Sequence, residues 1–241
     1  MEKKIIISDF DGTFYRTKEE LIKNIKIINK FRTDKNVFMI ATGRSYVGFL
    51  EQIKDYPVFY DYIILCNGAL ILNNKNEYIK HYSIERDLIN QINTFLIQFS
   101  SFIKKFTYVS KYKNFDNDQL DIEMLKIKLH LDDDQIAPKI CAALLSKFKN
   151  INAYIIPLNK GCLIEIISNE TSKSKAIKYL SGKLEYSQKE IITIGDSDND
   201  LEMILDFNGY AINSATNEFI SKAGRTIEDI STLIEKHAKI L

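Results

Sequence analysis

Apolar runs separated by amphipathic stretches set the rhythm of the first third of the chain. Lys4 to Ser8 is short and rich in isoleucine, which predicts a buried strand. Thr17 followed by Glu20 has the form of a capping box, each side chain satisfying a free backbone N–H of a first helical turn. The helix opened there carries Leu21, Ile25, Ile28 and Phe31 at helical spacing. Asn36 to Ala41 predicts a second strand, Arg44 to Lys54 a helix, and Tyr62 to Cys66 a third strand. Continuously apolar strands alternating with helices are the pattern of a parallel sheet covered on both faces.

After Asn67-Gly68 the texture changes. Ala69 to Leu72 and Tyr78 to Tyr82 flank the polar stretch Asn73 to Glu77 and predict a β-hairpin. A helix over Ile84 to Phe99, strands over Phe106 to Ser110 and Met124 to Leu131, and a helix from Asp134 to Lys149 follow. Strands over Ala153 to Pro157 and Cys162 to Ile167 complete a doubled helix-strand-strand order, which reads as an antiparallel sheet with helices on one side. From Ser168 the first texture returns: a helix over Ser172 to Leu180, a strand over Glu190 to Gly195, a helix over Leu201 to Asp206, a short strand over Tyr210 to Asn213, and a closing helix over Ile227 to Ala238. The middle segment therefore reads as an α+β unit inserted between two halves of an α/β unit.

Composition narrows the classes. Of 241 residues 45% are hydrophobic and 27% charged, the balance of a soluble globular chain. Lys and Arg number 33 against 32 acidic residues, so no global charge favours nucleic acid and any anion site is local. The run Ile5 to Ile7 is far shorter than a signal-peptide core, and no stretch reaches the roughly 20 apolar residues of a membrane span. Cys66, Cys141 and Cys162 are scattered without metal-site spacing and are expected as reduced thiols in a cytoplasmic protein. His81, His130 and His237 form no cluster.

Candidate chemistry collects at strand ends. Asp9-Phe10-Asp11-Gly12-Thr13 follows the first strand, and in an open parallel sheet ligands lie beyond the carboxyl ends of strands. Two carboxylates about 4 Å apart at an effective dielectric near 20 repel by about 4 kcal/mol unless a cation or shared proton intervenes. A second acidic cluster, Gly195-Asp196-Ser197-Asp198-Asn199-Asp200, follows another strand, and such oxygen ligands suit a hard cation. Asp198 or Asp200 is also suited to capping a helix. Thr42-Gly43-Arg44, after the strand ending at Ala41, offers a hydroxyl and free amides at a helix N-terminus, an arrangement that binds phosphate.

In this order and spacing the chain resembles the haloacid dehalogenase superfamily. Asp9-Phe10-Asp11-Gly12-Thr13 is similar to its motif one, Thr42-Gly43-Arg44 to motif two, and Gly195 to Asp200 to motif four. Lys173-Ser174-Lys175-Ala176 is similar to motif three, with Ser174 in place of glycine and Lys173 as the functional lysine. Asn67-Gly68-Ala69 before a large insertion resembles the IIB branch, the Cof-type phosphatases.

The resemblance implies a Rossmann-like parallel-sheet core over residues 1–82 and 168–241, with an inserted α+β cap over 83–167. It also implies hydrolysis of small phosphate monoesters, such as sugar phosphates, with Mg²⁺ as cofactor. Asp9 would be the nucleophile, forming an aspartyl-phosphate, and Asp11 the general acid and base. Asp9, the Asp11 carbonyl and Asp196 would hold the metal. Phe10, Thr42, Gly43, Lys173 and Asn199 would bind phosphate, Asn199 serving phosphate or Lys173. Asp200 would support metal waters or that lysine, with Arg44 and Asn67 also in supporting places. The expected partner is a small phosphate ester, with neither nucleic acid nor membrane, and the chain a monomer or weak homo-oligomer. A phosphomutase or phosphotransferase of the same superfamily, or a phosphosugar-binding protein without hydrolysis, are the alternatives. In the insertion Tyr108, Lys111, Tyr112 and Lys113 stand out as contacts for a phosphorylated sugar, against the plainer reading of an exposed loop.

Overall fold

The computed structural model describes residues 3–117 and 122–238; Met1 and Glu2, residues 118–121 of the insertion and residues 239–241 lie outside them. From the N-terminus, β1 (Ile5–Ser8), α1 (Lys18–Thr33), β2 (Val37–Ala41), α2 (Tyr46–Ile53) and β3 (Tyr62–Leu65) alternate as the apolar pattern predicts. β4 (Leu70–Asn73) and β5 (Tyr78–His81) form the hairpin. Next come α3 (Arg86–Leu96), β6 (Ile103–Val109), β7 (Asn114–Phe115), β8 (Lys126–Leu131), α4 (Ala137–Lys147), β9 (Ile151–Pro157) and β10 (Cys162–Ser168). The chain returns through α5 (Lys173–Lys183), β11 (Ile191–Gly195), α6 (Leu201–Asp206) and β12 (Tyr210–Ile212). It closes with α7 (Asn217–Ala223), β13 (Thr226–Ile227) and α8 (Ile230–His237).

Eight strands form one sheet in the order β13-β12-β11-β1-β2-β3-β4-β5. It is parallel from β13 to β3, and only the hairpin at its edge is antiparallel. Both faces are covered, which is why the strands are apolar throughout. Ile6, Phe38, Ile40 and Ile63 pack against Leu21, Ile28, Phe31 and Leu233 from α1 and α8. Ile5, Ile7, Met39 and Ile64 pack against Ala176, Ile177 and Leu180 of α5 and Met203 of α6. The chain winds outward from β1 through β2 and β3, and on the other side from β11 through β12 and β13. The switch point therefore falls between β1 and β11, where a ligand crevice forms in such sheets.

The remaining strands form a five-stranded antiparallel sheet, β7-β6-β8-β10-β9. Helices α3 and α4 cover one face, with Ile89, Ile92, Ile140 and Leu144 against Ile127, Leu129, Ile164 and Ile166. Period-two alternation leaves Lys126, Lys128 and His130 on the other face.

Several local expectations need correction. The capping box at Thr17 is half formed: its hydroxyl accepts from the Glu20 amide at 3.2 Å, but the Glu20 carboxylate pairs with Arg16 at 2.8 Å instead. The helix placed at Arg44 begins at Tyr46, because Ser45 caps it. The closing helix begins at Ile230 behind its Asp229 cap, since Thr226–Ile227 pairs with β12 as the last strand. Helix α7 was not anticipated, although Thr216 caps its start and Gly224, in a left-handed conformation, ends it.

Candidate functional site

Asp9 leaves β1 still tied to the sheet, its amide donating to the Ile194 carbonyl at 2.9 Å. The turn after it closes with the Tyr15 amide on the Phe10 carbonyl at 2.7 Å, and Phe10 anchors it by packing edge-on against Phe49. Gly12 is required here on two counts. Its φ is +81°, and a Cβ would lie 2.6 Å from Asp196 Oδ2. Thr13 reaches across from the same turn, its hydroxyl donating to Asp196 Oδ1 at 2.8 Å.

After β11 the chain turns tightly around Asp200. A Cβ on Gly195 would sit 2.5 Å from the Asp200 side chain, so only glycine lets the two approach. Asp200 Oδ2 accepts from the Asp196 amide at 3.1 Å and the Ser197 amide at 3.3 Å. It is the acid of this loop that caps the following turn, a role Asp198 does not take. Its Oδ1 accepts from Lys173 at 2.6 Å.

Lys173 is the first residue of α5, behind the Ser172 cap, and its ammonium lies 2.5 Å from Asp9 as well as on Asp200. Burial alone would push that ammonium down, but Asp200 and Asp9 outweigh it and hold it above its usual range. Lys175 turns the other way and donates to the Asn169 carbonyl at 2.6 Å from an exposed position. Ser174, in the place of the expected glycine, is buried and donates to Asp206.

Asp9, Asp196 and Asp200 each offer a carboxylate oxygen within 4.8 Å of the others. One ammonium does not neutralise three carboxylates. Burial, with Asp200 and Asp196 adding to it against Lys173, pushes Asp9 well above the ordinary carboxylate range. Burial and then Asp200 push Asp196 up to about 6. Both oxygens of Asp200 are already engaged, so the carboxylates short of a cation are Asp9 and Asp196. Hard oxygen donors lacking positive charge are what Mg²⁺ requires, and the residues fit it.

The third strand end folds back on the first two. Thr42 is buried, its hydroxyl accepting from the Arg44 amide at 3.1 Å. The Asn67 amide donates to the Thr42 carbonyl at 3.0 Å and the Cys66 amide to the Arg44 carbonyl at 2.9 Å. To make this return Cys66 and Asn67 adopt left-handed φ values of 52° and 55°, strained conformations of the kind found at functional sites. Asn67 accepts from Asn199 at 3.0 Å and donates to Glu165 at 2.8 Å. Of the two tasks expected of Asn199, holding Lys173 thus falls to Asp200 instead. Arg44 turns its fork onto Asp11, with two contacts of 2.7 Å at the half-exposed rim.

The structure therefore brings Asp9, Asp196, Asp200, Lys173, Asn199, Asn67, Thr42 and Gly43 to one crevice, with Asp11 and Arg44 at its edge. Sequence reasoning missed Lys126 and Glu165. They pair at 2.6 Å, fully buried or nearly so, and Lys126 also donates to the Gly43 carbonyl. A lone charge amid the apolar residues of β10 is the signal that marks Glu165, whereas Lys126 is one of two lysines alternating along β8. Tyr108 is not free for a sugar: it is buried, with its hydroxyl on Asn93 at 2.9 Å. Tyr112 lies edge-on against Tyr46, and Lys111 sits over the Tyr78 ring.

Comparison with known proteins agrees with this architecture. Residues 6–232 match the haloacid dehalogenase-like hydrolases, and the chain belongs to that family. A candidate phosphatase of Haemophilus influenzae is 26% identical over 245 residues, covering 90% of each chain. The 5-amino-6-(5-phospho-D-ribitylamino)uracil phosphatase of Bacillus subtilis is 26% identical over 211 residues, covering 83% of this chain and 80% of its own. Among solved structures, a haloacid dehalogenase-like hydrolase from B. subtilis shares the fold with a TM-score of 0.82, 16% identity, and 99% and 100% of the two chains covered. A candidate HAD/COF-like hydrolase from Plasmodium vivax has a TM-score of 0.77, 21% identity, and 94% and 90% covered. Among the described residues, no helix is long and apolar enough to cross a membrane.

Proposed function

We propose that this protein is a Mg²⁺-dependent phosphatase of small phosphate monoesters, acting through an aspartyl-phosphate on Asp9. The observation that carries this is the pairing of Asp9 with Lys173 at 2.5 Å, beside Asp196, at the switch point of the parallel sheet. A carboxylate steered by a buried ammonium is fixed in direction, as a nucleophile must be.

Asp9 attacks phosphorus, the bond to the leaving oxygen breaks, and protonated Asp11 gives its proton to that oxygen. Asp11, now a carboxylate, takes a proton from water; the water oxygen bonds to phosphorus, inorganic phosphate leaves, and the Asp9 carboxylate is restored. To serve in this way Asp11 must exchange Arg44 for the leaving oxygen. Lys173, the Thr42 hydroxyl and the Phe10 and Gly43 amides bind the phosphoryl oxygens, and Asn199 positions the same group through Asn67. Asp9, the Asp11 carbonyl and Asp196 hold Mg²⁺, which when bound offsets the repulsion between nucleophile and phosphate. Asp200 keeps Lys173 in place. Residues 83–167 act as a cap over the crevice and select the leaving group. The buried thiols of Cys66, Cys141 and Cys162 support a reducing, cytoplasmic setting.

The test is phosphate release from a panel of phosphate monoesters with Mg²⁺ and with excess EDTA, followed by mass spectrometry of trapped enzyme. Metal-dependent release and phosphate on Asp9 are expected. Full turnover in EDTA, or phosphate on Ser8, Thr13 or a histidine, would refute the mechanism.

A further inference from the structure

The open face of the five-stranded sheet carries a polar row. Register sets Thr107 and Glu165 on either side of Lys128, and Tyr154 beyond Glu165. Lys126 lies two positions along β8 on the same face. This face looks onto the crevice. Glu165 accepts from Asn67 at 2.8 Å, and Lys126 donates to the Gly43 carbonyl. At the far end of the row, Tyr154 feels the charges of Glu202, Lys173 and Asp200.

Every charge there is answered except one. Glu165 has Lys126 at 2.6 Å, and Arg44 below has Asp11 at 2.7 Å. Lys128 is half-buried and stands directly opposite Glu165, but that carboxylate is already held by Lys126 and Asn67, and among the described residues no hydrogen-bond acceptor reaches the Lys128 ammonium. Burial first, then the Lys126 charge, push its ammonium down against the pull of Glu165, with Arg44 adding a smaller push. Two ammoniums sharing one carboxylate leave this face short of negative charge, a deficit that an arriving anion would relieve. Alongside Lys128 the Thr107 hydroxyl lies 3.2 Å from Nε2 of His130, two positions further along the strand.

Resting on the phosphatase reading above, we infer that the substrate carries a second anionic group on the leaving side of its scissile ester, and that Lys128 binds it, with the Thr107 hydroxyl alongside. Lys128 is then the residue that separates two-anion substrates from those whose leaving group is neutral. A carboxylate and a second phosphate share this chemistry, and the substrates chosen below tell them apart.

The experiment measures kcat/KM with Mg²⁺ for wild type, Lys128→Ala, Lys128→Arg and the control Lys139→Ala, which removes an exposed lysine of α4 on the opposite side of the sheet. Substrates are p-nitrophenyl phosphate and glucose 6-phosphate, with neutral leaving groups, 6-phosphogluconate, with a carboxylate, and fructose bisphosphate, with a second phosphate. Wild type should favour one of the two-anion substrates over glucose 6-phosphate. Lys128→Ala should shrink that ratio by about 10- to 100-fold, the weight of a hydrogen bond to a charged group, mainly through KM. Lys128→Arg should keep most of the ratio, and Lys139→Ala all of it. Whichever two-anion substrate loses more identifies the group. Absence of a preference in wild type, or an equal fall on all four substrates in Lys128→Ala, overturns the assignment while leaving the phosphatase reading intact. If p-nitrophenyl phosphate itself yields no phosphate, the phosphatase reading fails and this inference with it.

Discussion

Replacing Lys173 with methionine would remove the one cation between two buried carboxylates while keeping most of the side-chain volume. The ammonium lies 2.5 Å from Asp9 and 2.6 Å from Asp200, and none of the three side chains is more than 7% exposed. Oxygens of Asp9 and Asp200 lie within 4.8 Å of each other. At that separation and an effective dielectric near 20, the uncancelled repulsion is about 3.5 kcal/mol. That agrees with the roughly 3–5 kcal/mol lost when one partner of a buried ion pair is removed. On the proposed mechanism the same ammonium would also face the incoming phosphate, and losing one preorganised donor lowers rates by about 10²–10³. Lys173→Met is therefore expected to lose stability in that range and kcat/KM by at least that factor. Lys175→Ala, which gives up only an exposed contact to a carbonyl, should stay within about 0.5 kcal/mol of wild type. Urea denaturation and steady-state kinetics of both variants on one aryl phosphate, with circular dichroism to confirm folding, make the comparison. A crippled Lys175→Ala beside a healthy Lys173→Met would show that the lysine register argued here is wrong.

Other outcomes follow from the same geometry. Asp9→Asn should abolish phosphate release, and Asp196→Asn should raise the Mg²⁺ concentration needed for activation; near-normal rates in either variant would contradict the roles assigned. Asp11→Asn, given an aryl phosphate whose leaving group needs little protonation, should accumulate phosphate on Asp9, visible by mass spectrometry. Gly12→Ala forces a Cβ to 2.6 Å from Asp196 at a φ of +81°, so a loss of about 1–3 kcal/mol and weaker Mg²⁺ activation are expected in denaturation and metal titrations. Asp229 caps α8 and pairs with Lys23 at 2.7 Å; against the upward push of burial, Lys23 and the Thr232 amide hold its carboxyl well below the ordinary range. A depressed carboxyl stabilises the fold above its unfolded pKa of about 3.9 and loses that contribution as pH falls further. Asp229→Ala should hence lower stability by about 1 kcal/mol at pH 7, with the gap narrowing only under acid; a gap constant down to about pH 3 would count against the ion pair.

Most of the eight-stranded sheet could be read from the chain because buried parallel strands are apolar at every position, as in Ile5–Ile7 and Val37–Ala41. The strand ends were legible for a related reason: Asp9, Asp196 and Thr42 interrupt those runs where the sheet stops. Short elements were not. Asn114–Phe115 and Thr226–Ile227 are two residues each, too brief for any periodicity, and are strands only because β6 and β12 lie beside them. The site was legible in its acids and its lysine but not in what braces them. No local pattern announces that Cys66 and Asn67 will take left-handed backbone, nor that Asn67 will touch residues from three separate segments. Glu165 lies 98 positions from Asn67, and only tertiary folding joins them.

The contact between the two sheets has an unusual seam. Lys126 and Glu165 belong to neighbouring strands, β8 and β10, of the same sheet, and their 2.6 Å pairing lies wholly within it. Across the divide they meet only neutral groups, the Gly43 carbonyl and the Asn67 amide. Were the smaller sheet to lift, this ammonium and carboxylate would travel together, still neutralising each other, and at this seam the bonds that break are hydrogen bonds to uncharged partners. Each of those is worth about 1.5–3 kcal/mol net, somewhat less than the roughly 3–5 kcal/mol lost when a buried ion is left unpaired. Along the rest of the boundary the His81–Glu123 pair at 3.0 Å and the packing of Val109 and Leu125 against the core of the larger sheet add to this contact.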